Sequence, residues 1–391
     1  MPAVGPDARP ESREPVRVER VEGRRGLARF LAVPDAIYRD DPNWVKPLDF
    51  ERREQLDPAR NPFLARIEMA LFVARRGSRD VGRVSAQVNR AHLERYRDAT
   101  GHFGFFETED DPEVAAALVR AAEDWLRARG MRRIAGPFDP SINTSCGLLV
   151  EGFERPPSMM MGHHRPWYGA RLEELGFRKE KDLLCYWYDP TEPLPPAALA
   201  LLERARRSTR MTVRPLAMRR YAEEIRTICD IFNDAWSRNW GFVPFDEAEA
   251  LYLARAIRPL VTARDFAIAE VEGTPAAMVV VLPNLNLAIR DLGGRLLPWG
   301  WAKLLWRLKL RGVPEWRIPL LGVRRAFQNG PLGAALAFAV LDAVRRWHAD
   351  RGIRGVELSW ILEDNQRIRA IIELSGARPY KTYRIYAKDI E

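Results

Sequence analysis

The chain has 391 residues, 47% of them hydrophobic and 29% charged, with a net charge of +9 and a pI near 9.7. That length holds two ordinary domains, and that composition is globular, not disordered. The positive balance favours an anionic partner, but most of it is scattered arginine without a basic-aromatic motif, so nucleic acid is not expected.

Cys146, Cys185 and Cys229 are far apart and odd in number. They show neither a disulfide framework nor zinc spacing, so a reducing cytoplasmic setting without a bound metal is expected. Residues 1–19 are polar and proline-rich, which predicts a flexible segment without the apolar core of a signal peptide. No apolar run reaches the roughly 18 residues that a membrane span needs.

In chain order, a first half over 20–189 opens with paired strands in ALFVARRGSRDVGRVSAQV. A long helix follows in AAALVRAAEDWLRARG, stopped at Gly130 as a left-handed C-cap requires. A short strand, RRIAGPF, then runs into GPFDPSINTSCGLLVEGFERPPSMMMGHHRPWY (136–168). This segment is dense in Gly, Pro, Ser and Asn and therefore reads as loop, yet Phe153, Met159, Met160, Met161 and Trp167 would be wasted on solvent. An elaborated loop at a strand end is where sites are built; a buried structural loop has the same composition. A short helix, RLEELG, and an aromatic strand close this half.

Residues 190–197, rich in proline, read as a semi-rigid linker. The second half, 198–391, repeats the plan: a hairpin in DFAIAEVEGTPAAMVVVLPNL, a strand WRIPLLGV, a long helix ending at Gly352, a strand GVELSW, a short helix and a last strand. Trp125 and Arg129-Gly130 reappear 222 positions later as Trp347 and Arg351-Gly352; farther on, Gly176 reappears at 200 positions as Gly376. The first half thus carries 22 extra residues in its loop, and each half predicts β-β-β-α-β-α-β.

An insertion over 292–314 interrupts the second half. Its core LLPWGWAKLLWRLKLR (296–311) puts Leu297, Trp301, Leu304, Leu305 and Leu308 on one helical arc, with Lys303, Arg307 and Arg311 on another. Trp beside basic residues suits a helix lying on an anionic membrane surface; a helix packed on the first half would bury the same arc.

In the second half, IPLLGVRRAFQNGPLGAAL and GVELSWILEDNQRIRAIIELSG resemble the GNAT acyl-CoA N-acyltransferase family, implying an α/β fold of two tandem GNAT-like domains. The resemblance implies that a Gly-rich turn and the following helix N-terminus, with Gln328, Asn329, Gly330, Leu332, Gly333 and Ala334, hold the pyrophosphate of coenzyme A as co-substrate, while a backbone N–H near Leu321–Val323 holds the developing oxyanion. Asn365 matches the family's Asn. Pro331 replaces a small residue and Ile372 stands where many members have a Tyr acid. The matching first-half turn, ETEDDPE, carries five acids and should repel a pyrophosphate.

More narrowly, Gly136-Pro137, Ser141, Asn143, Gly147-Leu148-Leu149 and Gly152-Phe153 resemble a bacterial two-copy group that includes ceramide synthases. This implies long-chain acyl transfer from acyl-CoA to an amphiphilic amine such as a sphingoid base, at the cytoplasmic face of a membrane. Acetyl or aminoacyl transfer, or an inactive acyl-binding module, are the alternatives. The loop offers His163 and His164 as general base, with Asn143 and Asp139 beside them. Glu357, Glu363 and Asp364 beside the cofactor strand are the fallback.

Overall fold

The computed structural model describes residues 14–206 and 211–391, without the side chains of 204–206. Its strands are β1 (Val16–Val21), β2 (Ile67–Arg76), β3 (Arg79–Asn89), β4 (Thr100–Thr108), β5 (Arg133–Gly136), β6 (Phe138–Asp139), β7 (Ser145–Cys146), β8 (Leu148–Glu151), β9 (Arg178–Tyr188), β10 (Met211–Pro215), β11 (Phe266–Val271), β12 (Thr274–Pro283), β13 (Glu315–Val323), β14 (Gly355–Leu362) and β15 (Arg378–Asp389). The helices are α1 (Gly23–Ile37), α2 (Asp49–Gln55), α3 (Arg90–Tyr96), α4 (Pro112–Arg127), α5 (Trp167–Glu174), α6 (Pro196–Arg206), α7 (Tyr221–Trp236), α8 (Glu247–Ile257), α9 (Leu285–Ile289), α10 (Gly300–Trp306), α11 (Pro331–Trp347) and α12 (Gln366–Leu374).

The duplicated plan is present, with additions before each hairpin. β1, α1 and α2 precede β2-β3-β4-α4-β5; β10, α7 and α8 precede β11-β12-β13-α11-β14. β1 corrects the expectation of flexibility through residue 19, because the alternating VRVERV pairs antiparallel along β2 from Val16↔Arg76 to Val21↔Leu71. The linker is likewise shorter than 190–197, since Pro196 opens α6 at a first-turn position that proline tolerates.

The halves do not form separate sheets. One mixed sheet runs β1-β2-β3-β4-β5-β15-β9-β14-β13-β12-β11-β10, with β8 also on β15. The last strand of each half has crossed to the other: β15 pairs with β5, and β9 pairs with β14. β15 and β9 then pair with each other from Arg378↔Trp187 to Ala387↔Arg178, so a chain boundary near 190 is not a boundary in the sheet.

Each half packs its long helix on one face. Leu118, Val119, Ala122 and Leu126 of α4 meet Val73, Val84 and Phe103; Leu336, Ala337, Val340 and Val344 of α11 meet Ala277, Val279, Ile318 and Leu358. α7 and α8 cover the opposite face of the second half over Ile268, Met278 and Val280. Buried aliphatic side chains at this spacing make the helices amphipathic, and their burial is the main stabilising contribution.

Candidate active site

β13 and β14 run parallel only from Glu315↔Gly355 to Ile318↔Leu358. Beyond that, β13 follows β12 to Val323↔Ala277, while β14 bulges after Leu358 and follows β9 through Ile361 and Leu362. Twist and the bulge part the strands, and the gap is a cleft of about 620 Å³. One wall is Ile318 to Val323, the other Leu358 to Leu362; the end of α7 and its turn, with Trp236, Arg238 and Trp240, cover one side.

The parting leaves backbone groups without a strand partner on the cleft side. Arg324 N–H donates to Ala276 O at 2.7 Å, so by antiparallel alternation the N–H groups of Val323 and Leu321 turn from β12 toward the cleft. The turn 324–330 then leads into α11. Gln328 pins it, its Nε2 donating to Val323 O at 2.8 Å and to Ala235 O at 3.3 Å, and Arg325 N–H donates to Asp234 Oδ2 at 2.7 Å. Gly330, at φ +82°, is an N-cap with no side chain to offer, so the first N–H groups of the 17-residue α11 lack a capping acceptor.

Free donors and a helix dipole arranged in this way favour negative charge. Arg238 and Arg367 add positive charge there, and Arg367 Nη1 lies 3.4 Å from Asn329 Oδ1. Pro331 removes one donor. Gly333 is buried against the turn, where a Cβ would sit 2.7 Å from Phe327 O and 2.8 Å from Gln328 O. Gln328, Gly330, Gly333, Ala334, Leu321, Val323 and Asn365 all line the cleft; Asn329 and Leu332 stand beside it at the helix start. Asn365 also caps α12, its Oδ1 accepting from Ile368 N–H at 3.4 Å. Ile372 is fully buried and also lines the cleft, so no hydroxyl occupies the position of the usual acid.

The loop 136–168 lies elsewhere than expected. His163 is buried, with Nε2 2.9 Å from Asp41 Oδ2, and burial lowers its pKa although Asp41 opposes the shift. His164 Nδ1 accepts Leu149 N–H at 3.0 Å, and burial pushes its pKa down to about 3. Asp139 Oδ1 accepts Phe105 N–H at 2.6 Å, and burial pushes its carboxyl up to about 6 against that bond. Asn143 Nδ2 donates to Val243 O at 3.0 Å, near Trp240 but outside the cleft lining. Of the expected constellation, then, all four members hold the loop to the fold and none is among the residues lining the cleft. Among the described residues no group of His, Cys, Asp and Glu could hold a metal.

The corresponding gap in the first half is closed. β4 and β5 part after His102↔Ala135, but Phe138 and Asp139 enter between them, Phe138 O accepting from Gln87 Nε2 at 2.5 Å. Tyr168 Oη accepts Thr108 N–H at 3.3 Å. The acids of the turn pair with arginines: Glu107 with Arg83, Glu109 with Arg79, Asp110 with Arg171, Asp111 and Glu113 with Arg76.

The insertion is a helix continuing through a π turn to Arg311. Leu304 packs toward Val45, Leu48 and Ile289, and Lys303 and Arg307 clamp Asp291, holding its carboxyl well below the usual range. The predicted apolar arc is thus divided. Leu304 seats the helix on the first half, while Leu297 and Leu310 stay 79% exposed and Trp299 76%. Among the described residues no helix is long and apolar enough to cross a membrane.

Sequence reasoning missed Arg238, Trp240, Ser359, Trp360 and Arg367. Arg238 and Trp240 lie in a turn after an unanticipated helix, and Ser359 and Trp360 enter the cleft only because two strands separate. The residues after Asn365 could have signalled Arg367, the second residue of α12, beside Asn329 of the Gly-rich turn.

No family model matches the chain. It is 45% identical over 368 residues to Protein YghO of Escherichia coli (strain K12), covering 94% of each chain. It is 46% identical over 363 residues to a protein named bacterial ceramide synthase from Caulobacter vibrioides (strain NA1000 / CB15N), covering 93% of this chain and 94% of that one. A solved tandem GNAT protein from the clavulanic acid biosynthesis pathway shares the fold, with a TM-score of 0.57 at 14% identity, 96% of this chain and 99% of that one being covered.

Proposed function

Since the chain belongs to the tandem GNAT-fold N-acyltransferase family that includes bacterial ceramide synthase, we propose that it transfers a long-chain acyl group from acyl-CoA to an amphiphilic amine of the sphingoid-base type. The observation that carries the donor half of this reading is the cleft between β13 and β14 at the uncapped N-terminus of α11. The pyrophosphate would lie at the N–H groups of Leu332, Gly333 and Ala334, with Arg367 and Arg238 adding charge. The thioester arm would lie between the parted strands, where the N–H groups of Leu321 and Val323 would hold the oxyanion formed on attack. The first half, closed and acidic at its turn, serves as scaffold.

The acceptor half of the reading rests on the aromatic wall of Trp236, Trp240 and Trp360 and on the relative's name. Trp is large and apolar with one polar edge, which suits a long chain ending in a polar amine. The exposed row Leu297, Trp299, Trp301, Leu305, Trp306 and Leu310 supports docking on an anionic membrane surface, where such substrates reside. The test is to incubate the purified protein with long-chain acyl-CoA and sphinganine and to follow N-acylated product by mass spectrometry. The expected outcome is amide with stoichiometric free thiol. A preference for acetyl-CoA and a small water-soluble amine, with no product from sphinganine, overturns the substrate assignment.

A further inference from the structure

A polar cluster stands at the apex of the cleft, on the sheet face opposite α11. Trp316 and Ile318, Val356 and Leu358 point to α11, so Arg317, Glu357 and Ser359 point the other way. Glu357 is completely buried, Arg317 4% and Ser359 2% exposed. Ser359 is the first β14 residue after the parallel pairing ends and lines the cleft. Its Oγ accepts Arg317 Nε–H at 2.9 Å and donates its own proton to Glu357 Oε1 in a short hydrogen bond. Tyr380 Oη donates to the other carboxylate oxygen, Oε2. Neither histidine of the long loop reaches the cleft and Ile372 has no hydroxyl, so no group assigned above takes the amine's proton.

We propose that Ser359 is the proton-transfer residue of the acyl transfer, with Glu357 behind it as proton reservoir, oriented by Arg317 and Tyr380. This rests on the acyl-transfer reading above. A hydroxyl has one proton and two acceptor lone pairs. The proton is committed to Glu357 and one lone pair to Arg317, and the Cys185 thiol, a weak hydrogen-bonding group, also reaches this hydroxyl; an amine N–H in the cleft takes the second lone pair by displacing that weak contact. As the amine nitrogen adds to the thioester carbon, the C–N bond forms, the amine proton passes to Ser359 Oγ, and the serine's own proton moves to Glu357. When the C–S bond breaks, the thiolate takes a proton from Ser359 and Glu357 returns the one it holds. The balance is amine and acyl-CoA in, amide and free coenzyme A thiol out, with serine and carboxylate restored.

A purely structural role accounts for part of the cluster. Arg317 Nη1 donates to Met159 O at 2.7 Å and Nη2 contacts Met161 Sδ at 3.1 Å, which ties the first-half loop to the second half. That role needs the guanidinium. It does not need a hydroxyl in the cleft donating to a buried carboxylate.

The other titratable or charged groups facing Glu357 are Cys185 on β9, Lys381 and Tyr383 on β15 and Glu315 on β13. Lys381 is itself committed to Gly152 O and Arg155 O, and burial lowers its pKa.

The experiment compares Ser359→Ala, Ser359→Thr and Glu357→Gln with the wild type in full-length protein, measuring acyl-CoA binding, kcat and KM from neutral to alkaline pH. Ser359→Ala should keep acyl-CoA binding within about twofold and lower kcat by roughly 10²–10⁴-fold, the range for loss of a general acid-base group. Its shortfall should shrink as pH rises and hydroxide substitutes for the lost base, and Ser359→Thr should recover most of the rate. Glu357→Gln should resemble Ser359→Ala; because it also removes the partner of Arg317, Ser359→Ala is the deciding variant. Wild-type kcat in Ser359→Ala, or a shortfall that is the same at every pH and accompanied by lost acyl-CoA binding, overturns the relay alone. A wild-type protein that transfers nothing overturns the relay together with the acyl-transfer reading.

Discussion

Between Thr108 and Pro112 the first half has a turn of three residues, 109–111; between Val323 and Pro331 the second half has seven, 324–330. Both turns leave a strand that has just parted from its parallel neighbour, and both enter a long helix at a proline. In the first half the chain fills its own gap: Asp139 takes Phe105 N–H, Tyr168 takes Thr108 N–H, and Asp111 caps α4 by accepting Glu113 N–H at 2.9 Å. In the second half none of these substitutions is made. The strand N–H groups face an open cleft, and Gly330 caps nothing. One topology therefore yields a plug or an open cleft according to whether its orphaned backbone donors are satisfied from within.

The largest effect should come from closing the open gap. Gly333→Ala puts a Cβ 2.7 Å from Phe327 O, so either the turn or the helix start must move. The phosphate donors should lose register, and affinity for acyl-CoA in calorimetry should fall by about 100-fold, or roughly 2.7 kcal/mol. Binding within twofold of wild type would show that the turn does not hold the donor.

The insertion is the second asymmetry, present only between β12 and β13. Trp299→Ser, Trp301→Ser, Leu305→Gln and Leu310→Gln together should lower binding to anionic vesicles at least about tenfold, since a fully buried large apolar side chain contributes roughly 1.5–3 kcal/mol. Activity on micellar substrate should be retained. Leu304 is left intact because it seats the helix on Val45 and Leu48. Undiminished vesicle binding would assign the exposed face another role.

The smallest effect on turnover, with a measurable effect on stability, should come from opening the plugged gap. Asp139→Ala leaves Phe105 N–H buried without an acceptor, a loss of about 1–3 kcal/mol in denaturant unfolding. Transfer rate at a temperature where the variant is folded should stay near wild type. A collapse of kcat at unchanged stability would return Asp139 to the chemistry.

How far the sequence reached varied by element. The long helices, their glycine stops at Gly130 and Gly352, and the hairpins were legible because each is written in local periodicity and turn chemistry. The turn before α11 was legible through Gln328, Gly330 and Gly333, whose demands are local: a pin, a positive φ and a missing Cβ. The first strands and helices of each half were not, since β1 and β10 are short edge strands, β1 broken by three charged residues in six and β10 only five residues long and ending in proline.

The histidines of the loop show the limit most plainly. By residue type His163 and His164 are the natural bases, and nothing in HH says which way either ring turns. Asp41, 122 positions earlier, and Leu149 N–H decided that. The same holds for Ser359, which packing made a cleft residue when β14 left β13 to join a strand from the other half. The sequence alone determined the duplication, the fold of each half and which half enters its long helix through a glycine-rich rather than an acidic turn, because those follow from local pattern and charge. Only the tertiary structure decided the exchange of last strands, the sealing of one gap and the cluster at the apex of the other, because each depends on partners from separate strands and loops that meet only when the sheet is assembled.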